Sequence, residues 1–279
     1  MHPRNRHLDR YDLKELVRVS PALKAHVFVN QYGDESIDFA NAEAVKELNR
    51  ALLKSFYGIK FWDIPDDFLT PPIPGRADLI HTAADLFSNR ENLRVLDIGT
   101  GANLIFPIIG LKEYNWKMVG SDIDQRALSS AQKIVDENQL PIELRLQKDS
   151  KSIFKGIISP DEKFDLTICN PPFHESAKAA LAGTTRKWKN LGKKPDQKLN
   201  FGGKARELWT PGGEKAFILK MIEESLLFST HVSWFSTLVS KSENLPALSK
   251  ALEKHKAQIK TLEMSQGQKK SRILAWRFP

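Results

Sequence analysis

The chain has 279 residues, 41% hydrophobic, 27% charged and 9% aromatic, with a formal net charge of +8; it is long enough to bury a full core as one large domain or two small ones. No apolar run is long enough to span a bilayer, and the polar N-terminus, MHPRNRHLDRYD, lacks the apolar stretch of a secretory leader. A single cysteine, Cys169, excludes an internal disulfide and a multi-cysteine zinc site, and seven scattered histidines offer no metal pair, so a cytoplasmic, metal-free protein is expected.

In chain order, residues 1–40 read as irregular after a polar start. Asn41 is placed to cap a helix whose apolar face is Val45, Leu48, Leu52 and Phe56, stopped by Gly58. The proline-rich connection from Ile64-Pro65 to Pro74-Gly75 excludes a regular helix. Residues 76–88 then carry a stripe of Leu79, Ile80, Ala83, Ala84 and Phe87. A catalytic domain spanning 71–279 is expected to begin near Pro71, leaving 1–70 as an N-terminal extension.

From there strands and helices alternate. Strands are expected at 94–98, 117–120, 142–146, 164–169, 232–240 and 273–278. Between them, 103–111 is helix-like around an awkward Pro107, 125–138 is a helix with Ala127, Leu128, Ala131 and Val135 inward, and 214–228 and 245–255 are helices. The alternation predicts an α/β fold, a doubly wound and mostly parallel sheet, with ligands at the carboxyl ends of its strands.

The charge is uneven. Residues 1–10 hold Arg4, Arg6 and Arg10 against Asp9, and residues 174–213 hold nine Lys or Arg against three acids. These two segments contain the whole net excess, which favours a polyanionic partner over a merely solvated surface.

Three signals carry chemistry. Asp97-Ile98-Gly99-Thr100-Gly101 ends the first strand, where two glycines let the backbone turn sharply against a ligand. The third position of a dinucleotide fingerprint falls on Leu104, which argues against NAD. Gly120-Ser121-Asp122 ends the next strand and sets Asp122 to accept both ribose hydroxyls, or else to cap the following helix. Asn170-Pro171-Pro172-Phe173 follows the fourth strand, and its prolines stiffen the loop. The Asn170 side-chain oxygen and Pro171 carbonyl can each accept a hydrogen from one planar amine, stabilising the charge that grows as that amine attacks a methyl sulfonium. Phe173 offers a stacking face for a base, or else a core contact. His174 reads as a loop residue and Cys169 as a buried small apolar one, while Trp188 and Trp209 suit stacking on single-stranded RNA or packing on the domain.

Met1-His2-Pro3-Arg4-Asn5, Pro74-Gly75-Arg76-Ala77-Asp78, the Asp97 and Asn170 motifs, Asn200-Phe201-Gly202-Gly203, Trp209 through Gly212-Gly213-Glu214 and Gln266-Gly267-Gln268 together resemble the bacterial 23S ribosomal RNA adenine-N6 methyltransferases of the RlmF type, over nearly the whole chain. The resemblance implies a seven-stranded class I methyltransferase (Rossmann-like) fold, S-adenosylmethionine as donor and one adenine of 23S ribosomal RNA as target. It implies cofactor contacts from Arg76 (to the methionine carboxylate), Asp97, Gly99, Gly101, Asp122 and Asn170, with Asp149 or Ser152 toward the cofactor adenine. It makes Asn170, Pro171, Pro172 and Phe173 catalytic, and the extension and the 174–213 insertion RNA-contacting. The residues alone leave a protein glutamine methyltransferase, a DNA adenine methyltransferase and a non-catalytic RNA-binding factor open; the basic excess favours nucleic acid, and only the resemblance favours RNA over DNA.

Overall fold

The computed structural model describes residues 1–176, 209–266 and 269–279. Seven strands form one sheet: β3 (Arg94–Ile98), β4 (Lys117–Asp122), β5 (Glu143–Leu146), β6 (Phe164–Cys169), β7 (Val232–Val239), β8 (Gln258–Gln266) and β9 (Lys269–Arg277). Their spatial order is β5-β4-β3-β6-β7-β9-β8, with β5 through β7 parallel and β9 and β8 antiparallel to their neighbours. The first strand of the sheet, β3, lies inside it; succession runs outward through β4 to β5 on one side and through β6 to β7 on the other, so the order reverses between β3 and β6, and β9 lies between β7 and the edge strand β8.

Alternate residues of each strand feed opposite layers, as the pleat requires. Val95, Met118, Leu166, Ile168, Trp234, Leu238 and Ile273 enter one core with α2 (Ala42–Tyr57), α3 (Ile73–Ala84), α4 (Ile105–Tyr114) and α5 (Gln125–Asn138). Leu96, Val119, Cys169, Phe235, Val239, Leu274 and Trp276 enter the other, with α6 (Gly213–Ser225) and α7 (Leu245–Glu253). Among the described residues, each of the two largest fully buried side chains satisfies its indole N–H: Trp116 donates to the Arg90 carbonyl at 2.7 Å and Trp276 to Ser225 Oγ at 3.0 Å.

Residues 1–40 are more ordered than the irregular stretch expected. They form α1 (Leu13–Val19), capped by Asp12, a short 3-10 turn at Pro21–His26 and a hairpin of β1 (Val27–Val29) and β2 (Glu35–Ile37). Leu13, Leu16, Leu23 and Ile37 join the first core, so residues 1–70 share their apolar interior with the sheet. The α2 helix has the expected ends: Asn41 accepts from the Glu43 and Ala44 amides, and Gly58 adopts φ 66° beyond the last turn.

One expectation built on proline is corrected, and Pro107, awkward in the sequence, finds its place. Pro74 and Gly75 lie inside α3, which begins at Ile73; Pro107 sits in the first turn of α4. First-turn N–H groups have no intrahelical acceptor, so a missing one costs nothing there. The last strand begins at Lys269, and β8, at the sheet edge beside it, was not expected from the residues.

Candidate active site

Register brings the three motifs level. Ile98 lies opposite Ser121 on β4 and opposite Cys169 on β6, so Gly99, Asp122 and Asn170 leave the sheet side by side at its carboxyl edge, at the reversal of strand order.

The glycine turn is tied to β4. The Gly99 and Thr100 amides donate to the Ser121 carbonyl at 2.9 and 3.0 Å, and Gly101 N–H donates to Asp122 Oδ2 at 2.9 Å. Gly99 and Gly101 adopt φ of 75° and 65°, a region that penalises any Cβ. Gly120 is needed for a different reason, since a Cβ there would fall 2.9 Å from Thr100 Oγ1. Asp122 Oδ1 accepts from the Asp124 amide at 2.9 Å, while Asp124 itself caps α5. Asp122 thus joins the turn to the helix entry and keeps lone pairs on both oxygens for further donors. Burial raises its pKa, opposed by these backbone donors.

Asp97 is fully buried, and neither carboxylate oxygen has a hydrogen-bond partner among the described residues. Burial pushes its pKa up to about 7; the charge of Asp122 adds to this, and the neighbouring Thr100 side chain and Arg76 guanidinium oppose it. Arg76, on α3, lies 5.4 Å over the Phe106 ring. Asn170 Oδ1 is also buried with no partner among the described residues, as is the Thr100 hydroxyl. Acceptors with no donor cost on the order of 1–3 kcal/mol each in a folded chain, more for a charge, and those at Asp97 and Asn170 stand at one edge of one sheet. S-adenosylmethionine carries suitable donors in its ammonium and ribose hydroxyls, and the residues present fit it.

Pro171 is buried, and Phe173 is half-buried with its ring against the first core. His174 pairs with Trp209 in a parallel bridge, and the Thr210 amide donates to the His174 carbonyl at 2.9 Å. This joins the chain on either side of 177–208 directly behind the Asn170 loop. Trp188, Asn200 and the lysines from 178 to 204 fall outside the described residues, as do Gly267 and Gln268. Asp149 is exposed and holds a turn beyond β5, accepting from the Lys151 amide at 2.9 Å and from Ser152 Oγ at 2.8 Å. Gln147 N–H donates to the Asp122 carbonyl at 2.8 Å, so this turn continues the same edge. Cys169 is buried and its thiol pKa is raised chiefly by burial, which leaves it an inert apolar group.

No local pattern in the residues points to the strap at 60–68. Asn138 Oδ1 accepts from the Lys60 and Phe61 amides at 2.7 and 3.0 Å; Trp62 Nε1 donates to the Asn103 carbonyl at 2.8 Å; Asp67 pairs with Arg126 at 3.0 Å. The strap therefore braces the glycine loop and the start of α5, on either side of Asp122. Glu214 was likewise missed as a framework residue. Buried at the start of α6, it accepts from Ser240 N and Oγ, Lys241 N and Asn244 Nδ2, locking the helix to the end of β7.

The basic N-terminus is also used internally. Arg4 pairs with Asp85 at 2.7 Å, Arg6 with Glu113 at 2.8 Å and Arg10 with Asp34 at 2.8 Å. Among the described residues no group of three His, Cys, Asp or Glu is placed to hold a metal, and no helix is long and apolar enough to cross a membrane.

A family model described as RNA methyltransferase matches residues 1–279. The chain belongs to this RNA methyltransferase family. Relatives named ribosomal RNA large subunit methyltransferase F are 52% identical in Klebsiella pneumoniae, over all of this chain and 94% of that one, and 53% identical in Escherichia coli O127:H6, over all of this chain and 93% of that one. The hMettl16 catalytic domain in complex with MAT2A 3′UTR hairpin 1 superposes with a TM-score of 0.86 at 30% identity, covering 100% of this chain and 96% of that one. The N-terminal domain of human METTL16 in complex with SAH gives 0.80 at 28%, covering 100% and 99%. The sheet of this family member is that of a class I methyltransferase, and its methyl donor is S-adenosylmethionine.

Proposed function

We propose that this RNA methyltransferase modifies the exocyclic N6 amine of one adenine in the 23S RNA of the large ribosomal subunit, in the cytoplasm. The names of its relatives support the ribosomal substrate. The observation that carries the amine is the buried Asn170 Oδ1, which no described residue satisfies, beside the glycine turn.

Arg76, Asp97, Gly99, Gly101, Asp122, Asn170 and the Asp149–Ser152 turn would hold the donor. When bound, S-adenosylmethionine supplies an electrophilic methyl group on a sulfonium. Asn170 Oδ1 and the Pro171 carbonyl accept the two amine hydrogens and stabilise the positive charge that builds on nitrogen. Pro172 fixes the loop, and the exposed part of Phe173 supports the base once it leaves its stack. No base is required: the amine sheds its proton to water after methylation.

The RNA-contacting role falls mainly on residues 174–213, since Arg4, Arg6 and Arg10 already have acidic partners within the chain. Methyl label from the donor, offered large-subunit RNA, adenine-containing DNA and a glutamine peptide together, should enter the RNA at one adenine. Label in DNA or glutamine with none in RNA would overturn this reading.

A further inference from the structure

Glu214 is 2% exposed, and its two carboxylate oxygens accept four hydrogen bonds. Oε1 takes the Ser240 amide at 2.7 Å and the Ser240 hydroxyl at 2.5 Å. Oε2 takes Asn244 Nδ2 at 2.7 Å and the Lys241 amide at 3.2 Å. A buried polar cluster that is satisfied in this way rigidifies its surroundings. Four directed bonds fix the angle as well as the distance between the start of α6 and the exit of β7, which apolar contact alone does not.

That exit stands beside the Asn170 loop. Thr237 Oγ1, on β7, donates to the Cys169 carbonyl at 3.5 Å, so the residues past Val239 leave the sheet at the same edge as Asn170. From Glu214 a line of backbone bonds runs back to the far end of that loop. Gly213 N–H donates to the Thr210 carbonyl at 2.9 Å, Thr210 N–H donates to the His174 carbonyl at 2.9 Å, and Trp209 bridges His174. A Cβ on Gly213 would stand 3.5 Å from the Glu175 amide nitrogen, so the two backbones already touch there.

The Asn170–Phe173 loop is therefore held by β6 at one end and by this line of bonds at the other. Pro171 and Pro172 have no N–H with which to anchor the loop between them. The aim of its two acceptors depends on where its ends are fixed.

We propose that Glu214 is a positioning residue for methyl transfer: through Gly213, Thr210 and His174 it sets the downstream end of the loop, and with it the direction of Asn170 Oδ1 and the Pro171 carbonyl toward the amine. The proposal rests on the reading above that gives those two acceptors the amine hydrogens. The glycine turn and Asp122 are tied to each other by separate bonds, so loss of Glu214 leaves donor binding as it was and acts on the rate.

The test measures single-turnover methyl transfer to large-subunit RNA at saturating donor and RNA. It compares the parent with Glu214→Gln, with Thr210→Pro, which removes the amide that reaches His174, with the double variant, and with Asn170→Ala as reference. Glu214→Gln and Thr210→Pro should each slow transfer roughly tenfold to a hundredfold, the scale of a slight misplacement at the reacting atoms. Donor affinity by calorimetry and RNA retention on filters should match the parent. The double variant should be no slower than the slower single, because both changes cut one line of bonds. Should Glu214→Gln not fold, Ser240→Ala, which takes one hydroxyl from the carboxylate, should slow transfer severalfold. A parent-like rate in the folded Glu214 variant, or in Ser240→Ala where that one stands in, would overturn the proposal. So would losses that multiply in the double variant, or a fall in donor affinity as large as the fall in rate. If Asn170→Ala itself transfers methyl at the parent rate, the reading of the amine acceptors fails, and this proposal with it.

Discussion

At Asn170 and Asp97 the chain buries acceptors that none of the described residues satisfies, and each residue makes a separate expectation. Asn170→Ala should lower the single-turnover rate by roughly 10²–10³, the scale for losing one preorganised group at a developing charge, with a smaller effect on donor affinity. A rate within a few-fold of the parent would remove Asn170 from the reaction. Asp97 has a folded pKa of about 7, above the ordinary carboxylate value, because burial disfavours its charge. The folded chain therefore holds the proton more tightly than the unfolded chain does. The stability this gives is complete at acid pH and is lost as pH rises through 7. Asp97→Asn cannot ionise, so without donor it should melt above the parent at pH 8, by a margin that shrinks toward pH 5. It should also bind donor more weakly. A melting difference independent of pH would show that Asp97 is not the titrating group.

Two buried histidines, His7 near the N-terminus and His81 on α3, make stability depend on pH on the acid side. His7 lies between the Tyr57 and Tyr11 hydroxyls at 2.8 and 2.9 Å, and His81 shares a hydrogen bond of 2.7 Å with the Tyr114 hydroxyl. Burial, with nearby cations adding, lowers both to about 4. Here the unfolded chain takes the proton first, so their contribution is full above 6.5 and is lost as pH falls toward 4. His7→Gln should lose less stability over that interval than the parent, which thermal melts at stepped pH will read; parallel curves would rule His7 out. The legibility of elements followed the same local physics. The α2 helix could be read because Asn41, Gly58 and a 3.6-residue stripe agree. The start of α3 could not, because Pro74 and Gly75 signal a break everywhere except in a first turn. Strand β8 escaped because its inward positions include Lys260, which lies 5.0 Å over the Trp234 ring; an edge strand guarded by charge reads as polar surface. In the site, the strand-end motifs were legible as glycine, acid and Asn-Pro-Pro signatures, whereas Trp62 and Glu214 act through contacts distant in sequence and leave no local pattern.

Over the whole molecule, the ion pairs of Arg4, Arg6 and Arg10 leave the sequence between 174 and 213 as the main reserve of positive charge. Replacing Lys187, Lys189, Lys193 and Lys194 by Gln should weaken RNA binding and flatten its salt dependence, by about 0.7 in log–log slope for each phosphate that is no longer neutralised, with donor affinity unchanged. An identical slope in a salt titration would place the RNA elsewhere. The sheet order has its own consequence for how the chain is made. Strand β9 inserts between β7 and β8, pairing from Phe235 opposite Trp276 to Val239 opposite Arg272, yet it is the last of the described strands to leave the ribosome. Its Leu274 and Trp276 complete the second core, whose other walls, Phe235, Met221 and Leu248, are synthesised earlier. During translation those walls must wait, solvent-exposed, with one edge of β7 unpaired, until the final strand emerges. The nascent chain therefore passes through an interval in which its half-built second core is open to chaperones and to aggregation, and a chain released a few codons short of β9 would carry every motif of the site and no closed sheet to hold them.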